Sequence, residues 1–306
     1  MAHQTPARPE LRPQGPAERP LPQVDGAVHK YVTVHEGTAR AARLHVADFA
    51  AGQPVVLLHG HFQHWYAWHR LLPLLPAGLR AVCVDLRGFG WSEQTRGGYD
   101  LDGLADDVSA VIHGLGLGRV LLVGHDLGAQ VGLRVAERAP QDCAGVLAVN
   151  THHPFPSRRL LAANLWRMWF TALLEYPVLG PFVVRHRPGL IKGLLRRGAR
   201  ERGAWSEAEL AEFAAAAGAS ARPTQQVLWR YVLGEMPALL RPRGGRRLET
   251  PVVLLTGDRD AVIPPSLLAG DGARVGRLET RLAAGCGHQL PVEAPEAIAA
   301  ALGLLR

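Results

Sequence analysis

Two short stretches carry side chains able to do chemistry. The run "HGHFQH" places three imidazoles, His59, His61 and His64, close together, and neutral imidazole is the commonest protein ligand for transition metals. The run "LLVGHDLGAQVGL" ends an apolar stretch at Val123 and then sets Gly124, Asp126 and Gly128 in a G-x-D-x-G spacing ahead of a helix-compatible segment. That is the nucleophile-elbow arrangement with an acid where serine often stands. Such a bend holds strand and helix close together, so the residues beside the nucleophile must be small. Gly124, Gly128 and Ala129 meet that need. A carboxylate is already ionised near neutral pH, needs no base in order to attack, and suits attack on saturated carbon.

Several apolar runs could position these groups: "PVVLLHG" (54–60), "RAVCVDL" (80–86), "RVLLVGH" (119–125), "AGVLAVN" (144–150) and "TPVVLLTG" (250–257). Each is continuous rather than alternating, as strands buried on both faces are, and helix-compatible stretches separate most of them. They predict a parallel α/β sheet. "AVHKYVTVHE" and "RAARLHVADF" mix polar and apolar positions and predict an antiparallel hairpin at one edge. Residues 152–245 offer helical patterns but no comparable strand, and so read as a helical cap inserted between the core segments 26–151 and 246–306. The cluster "GLGLGR" precedes a strand instead of following one, and Arg119 stands at the third glycine's place. Both features exclude a dinucleotide-binding fingerprint.

The chain of 306 residues, 47% hydrophobic, can bury a substantial core. Its net charge of +7 and pI near 9.9 come from scattered arginines, with Lys30 and Lys192 the only lysines. The densest basic run, "RPRGGRR" (241–247), has no interleaved aromatics for base stacking and reads as a solvated linker, so no nucleic-acid partner is expected. Cys83, Cys143 and Cys286 form neither a disulfide framework nor a CxxC pair, which fits a reducing, cytoplasmic setting. Residues 1–25 are rich in proline and polar groups, lack a signal-peptide pattern and are expected to be disordered or loosely attached. No uninterrupted apolar run is long enough to span a bilayer. The closest, "LLAANLWRMWFTALLEYPVLGPFVV" (160–184), is expected to form a buried helix pair, with peripheral contact to lipid as the alternative.

At the elbow the chain resembles the α/β-hydrolase superfamily, specifically the aspartate-nucleophile branch that includes epoxide hydrolases and haloalkane dehalogenases. The likeness covers most of residues 26–306. "HGHFQHWYAWH" is similar to the H-G-F-P-x-x-W-Y-x-W run of epoxide hydrolases, "DLRGFGWS" (85–92) to the segment after the next core strand, and "NTHHP" (150–154) to the junction with the cap. In "LLTGDRDAVIPP" the G-x-x-D-x-x-x-P pattern implies Asp260 as the triad acid, with Asp258 as the alternative. In "GCGHQLPVEAPE" the G-H-x-x-x-x-E-x-P form implies His288 as the base.

The resemblance implies an α/β-hydrolase fold and a hydrolase that needs no metal or organic cofactor. Asp126 would form an alkyl-enzyme ester that His288, oriented by Asp260, hydrolyses with water. The backbone N–H groups of His61 and Leu127 would form the oxyanion hole, leaving His59 as a packed structural histidine. A zinc run of the H-x-H-x-D-H type, as in the metallo-β-lactamase fold, would need an acid where Gln63 stands. His61 and Phe62 replace the aromatic and the proline that commonly follow H-G. The pocket is expected to include Trp65, His153, Phe170 and Trp229, the last two at the positions of the family's cap tyrosines; Tyr176, Tyr231, His152 or His153 would substitute if the cap register shifts by a turn. The Leu-, Trp- and Ala-rich cap favours an apolar small-molecule substrate. Epoxide opening is the expected reaction. Halide displacement and ligand binding without catalysis are the alternatives. Leu127 and Gln130 occupy positions where fluoroacetate dehalogenases would place arginines.

Overall fold

The computed structural model describes residues 19–168, 171–201, 203–241 and 247–306. Its eight strands are β1 (Val28–Val34), β2 (Ala42–Phe49), β3 (Gln53–Leu58), β4 (Leu79–Val84), β5 (Val120–His125), β6 (Cys143–Val149), β7 (Val252–Gly257) and β8 (Leu278–Ala283). They form one sheet in the order β1-β2-β4-β3-β5-β6-β7-β8. The β1–β2 and β2–β4 pairs are antiparallel, and every pair from β4–β3 to β7–β8 is parallel. The expected parallel sheet and edge hairpin are both present. Strand β8 has no counterpart among the apolar runs because it is an edge strand with much of its length exposed.

Both sheet faces are covered, which is why the central strands read as unbroken apolar runs. Val56 and Leu58 of β3, with Val120 and Leu122 of β5, pack beneath helices α1 (Leu101–Gly114) and α2 (Leu127–Arg138). The alternate residues Val55, Leu57, Leu121 and Val123 point to the opposite face. That face holds Trp65 and Trp68, together with Ile298 and Leu302 of the C-terminal helix.

Between β6 and β7 the chain forms α3 (Arg158–Asn164), α4 (Thr171–Leu174), α5 (Leu179–His186), α6 (Pro188–Gly198), α7 (Glu207–Ala219), α8 (Ala221–Arg230) and α9 (Met236–Leu240). No strand of the sheet interrupts them among the described residues. Ser206 and Glu209 start α7 with a reciprocal capping box. Tyr231–Glu235 is a π turn joining α8 to α9. Helices α4 to α8 share a core around Ile191, Leu195, Leu210 and Phe213, which also takes in Phe62 and Val292 from the sheet-bearing part, while Leu161 of α3 packs with Met236 and Leu239 of α9. Helices α10 (Leu290–Glu293) and α11 (Pro295–Leu302) close the chain.

Two segments depart from expectation. Residues 1–18 lie outside the described part, but Arg19 stacks over Trp91 and its carbonyl accepts the indole N–H, while Leu21 and Val24 pack on the lower core. The loose N-terminal segment expected through residue 25 therefore does not reach that far. The stretch 160–184 is no buried helix pair: Trp166, Leu173, Tyr176, Val178, Leu179 and Phe182 are all exposed. The basic run 241–247 falls mostly outside the described residues.

Candidate active site

Strand β5 delivers Asp126 to the C-terminal ends of the parallel strands. Asp126 sits between β5 and α2 with φ 50° and ψ −114°, a conformation rarely adopted by a side-chain-bearing residue and a form of strain associated with functional turns. The bend is possible because the residues two positions before and after it lack side chains. A Cβ on Gly124 would lie 2.2 Å from the Gly128 carbonyl oxygen, and one on Gly128 would lie 2.0 Å from that of Leu58. Oδ2 of Asp126 accepts the main-chain N–H of His61 at 3.1 Å and the Nδ1–H of the same residue at 3.0 Å. Burial works to raise the Asp126 carboxyl, but the imidazoles of His61, His288 and His125 outweigh it and hold the group far below the usual carboxylate range.

Asp260 and His288 arrive from the ends of β7 and β8. Oδ2 of Asp260 accepts Nδ1–H of His288 at 2.8 Å, while its Oδ1 accepts the N–H groups of Val262 and Ile263. Asn150, at the end of β6 with φ 50°, donates its amide to Asp260 Oδ2 at 2.9 Å and to the Gly287 carbonyl. Burial opposes a charge on His288, but Asp260 and the facing Asp126 raise its pKa to about 9. The main-chain N–H of His288 donates to the carbonyl of Gly198, the last residue of α6, at 2.7 Å. Asp258 instead accepts the N–H of Gly285, away from the imidazole.

The three histidines of "HGHFQH" serve three different partners. His59 is fully buried and its Nε2 accepts the N–H of Leu86, His61 reaches Asp126, and His64 pairs with Glu212. Phe62 has φ 63°. Proline is locked near φ −65° and could not adopt this bend, so the residue type and the local backbone agree.

A family model described as the alpha/beta hydrolase family matches residues 55–301. The chain belongs to that family. Within it, the chain is 39% identical over 129 residues to epoxide hydrolase B of Mycobacterium tuberculosis, covering 40% of this chain and 36% of that one. It is 37% identical over 100 residues to the soluble epoxide hydrolase of a Corynebacterium strain, covering 33% and 35%. The matched part thus spans about a third of the length of these curated relatives. A solved variant of a Pseudomonas aeruginosa protein provisionally named an epoxide hydrolase superposes with a TM-score of 0.76 at 29% identity, covering 94% of this chain and 100% of that one.

In this α/β-hydrolase a cavity of about 550 Å³ opens above the elbow. Asp126, His288, His61 and Leu127 all line it, with leucines of α4 and α6 and with Val262 and Ile263 opposite. Of the four residues expected to line it, three lie elsewhere and one is not described. Trp65 is buried below the sheet against His29, His45 and Phe49, because the segment after "HGHFQH" dives beneath β3. His153 is held in the wall behind, where its Nδ1 accepts the N–H of Phe155. Trp229 is 39% exposed and faces outward from α8. Phe170 lies outside the described residues.

Tyr231 and His152, offered in the sequence only as substitutes, do line the cavity. Their Nε2···OH separation is 3.0 Å, and the His152 Nδ1 sits 2.7 Å from the His153 carbonyl. A carbonyl can only accept, so Nδ1 carries a proton, and Nε2 faces the phenol. Burial and the nearby Asp126 push the Tyr231 phenol well above its ordinary range. Gln130 and Thr151, also lining the cavity, are hydrogen-bonded to each other. The π turn that begins at Tyr231 shifts which residue of a continuous helix faces inward, and sequence periodicity does not announce it.

Proposed function

We propose that the chain is an epoxide-hydrolase-like enzyme that opens an apolar epoxide through an alkyl ester on Asp126. One observation carries this reading: a strained, ionised carboxylate and a carboxylate-oriented imidazole line the same largely apolar cavity. In the first step a carboxylate oxygen of Asp126 attacks a ring carbon, the C–O bond of the ring breaks, and the alkoxide takes the proton of Tyr231. Esterification removes the negative charge of Asp126, one of the two carboxylates that hold the proton on His288. The imidazolium then releases its proton, which restores the Tyr231 phenol. Neutral His288 next deprotonates a water that attacks Cγ of the ester, and the charge on the carbonyl oxygen is met by His61 and the Leu127 N–H. Collapse expels the diol oxygen, which is protonated by His288, and the carboxyl group left on Asp126 returns its proton to the imidazole, restoring both the carboxylate and the imidazolium. The helices α3 to α9 act as the cap. The free thiols of Cys83, Cys143 and Cys286 suit a reducing cytoplasm.

The halide reading is weaker, because a leaving halide needs N–H donors. Trp229 lies outside the cavity and Leu127, not tryptophan, follows Asp126. A binder without chemistry would have no use for the strain at Asp126 or for an Asp260–His288 pair. The test is a single turnover in heavy-oxygen water with a panel of aryl and alkyl epoxides. Label should enter the Asp126 carboxylate, with unlabelled oxygen in the first diol released. Label in that first diol would mean direct attack by water and would overturn the ester route.

A further inference from the structure

The helical insertion carries an apolar surface that the catalytic reading does not use. Helix α5 turns Gly180 and Val184 inward and presents Leu179, Phe182, Arg185 and His186 outward, at three- and four-residue spacing. Tyr176 and Val178, in the preceding loop, are 62% and 83% exposed. The chain from Arg185 to Leu190 stays exposed throughout. Large apolar side chains gathered this way are unusual on a surface facing only water.

The charge around this surface is one-sided. From Arg158 to Arg200 the sequence has nine arginines and lysines and a single acid, Glu175. Lys192 and Arg196 pair with Glu207 of α7. Arg185 and Arg187 have no acidic partner among the described residues, so their charges remain available beside Phe182. The surface also borders the cavity. Leu173 and Leu190 line the cavity and are themselves exposed, which places its mouth at this patch.

From these observations we infer that the α4–α6 face docks on an anionic phospholipid bilayer, with Tyr176, Val178, Leu179 and Phe182 entering the interface and Arg185 and Arg187 meeting the headgroups. Aromatic and aliphatic groups flanked by arginine form the composition that holds a protein at such an interface. A second copy of the chain is a poorer occupant, because a self-pairing face would set these cations against one another. Nucleic acid would use the arginines but not the aliphatic side chains. None of the inserting residues touches the triad, so the proposal stands independently of the reaction assigned to Asp126. It also gives the cavity mouth a purpose: an apolar substrate dissolved in the bilayer reaches Leu173 and Leu190 without crossing bulk water.

The experiment is sedimentation of the full chain with sucrose-loaded vesicles of phosphatidylcholine alone or mixed with phosphatidylglycerol. Binding is expected only with phosphatidylglycerol and should weaken as salt rises. The double substitution Val178→Asp and Phe182→Asp, or Arg185→Glu with Arg187→Glu, should reduce partitioning ~tenfold or more. Leu282→Asp, an equally exposed position on β8, should leave it unchanged. Circular dichroism would verify that each variant is folded. Failure to bind anionic vesicles at low salt, or equal binding by parent and patch variants, would overturn the proposal. So would a concentration-dependent dimer, or binding to duplex DNA without binding to vesicles, that the same substitutions abolish.

Discussion

Oδ2 of Asp126 accepts two hydrogen bonds from a single residue, the main-chain N–H of His61 at 3.1 Å and its Nδ1–H at 3.0 Å. A carboxylate can only accept, so Nδ1 carries the proton. Nε2 of the same ring is buried at the cavity without a partner among the described residues. The ring thus adds a side-chain donor where a backbone hole was expected. Replacing it with the aromatic common at this position, His61→Phe, should slow ester hydrolysis by about 10²–10³ while leaving ester formation much less affected. Rapid quench with intact-mass detection would reveal the accumulated ester. Equal hydrolysis rates in the two proteins would remove the ring from this role.

Tyr231→Phe should cut the rate of ester formation from an epoxide by about 10²–10⁴, the usual worth of a positioned acid. The same variant should form an ester from an alkyl bromide at nearly the parent rate, since that leaving group needs no proton. Trp229→Phe should leave both rates near those of the parent, because the indole faces away from the cavity. Stopped-flow measurements on all three proteins would separate the two aromatic positions.

Asp260→Asn should lower steady-state turnover by about 10⁴, as removing the orienting carboxylate does in related triads. Asp258→Asn should leave it near the parent value, because its carboxylate holds the Gly285 N–H and not the imidazole. Matching losses in the two variants would contradict the geometry around His288.

His288 also predicts a pH effect on stability. Its folded pKa of about 9 lies above the ordinary 6.5, so the native state binds the proton more tightly than the unfolded chain does. The resulting stabilisation is complete below the ordinary value and is lost as pH rises through about 9. Asp126 and Asp260 work in the opposite direction. Both are depressed, so their contribution is present above the ordinary 3.8 and is lost as pH falls through their folded values. Asp126→Asn removes one anion facing the imidazole, and NMR titration should find the His288 pKa lower in that variant. Urea midpoints measured along the alkaline limb should then fall earlier than in the parent.

Gly128→Ala should destabilise the fold by about 1–3 kcal/mol, the range for overpacking a close contact. The new methyl group would meet the Leu58 carbonyl at 2.0 Å. Thermal melts would measure the loss, and an unchanged midpoint would mean that the bend can relax.

What could be read from the sequence follows from where each constraint acts. Continuous apolar runs fixed the five central strands because both of their faces are buried; Asp126 stood out because it follows such a run in a glycine-marked turn, and Asp260 and His288 because the motifs around them resemble those of a known family. Strand β8 escaped notice because burial, the signal being read, is weak at an exposed edge. The cavity wall was the least legible part. Trp65 follows the loop of His61 in sequence yet sits beneath the sheet, and Trp229 and Tyr231 exchange inside and outside across a π turn. Those placements depend on how helices pack and turn, which the order of residue types constrains only loosely.

The bond from the His288 N–H to the Gly198 carbonyl ties the loop bearing the imidazole to the last residue of α6. The joint is made of main-chain atoms alone, so a substitution that displaces the end of α6 would be felt directly at the loop from which His288 reaches Asp260.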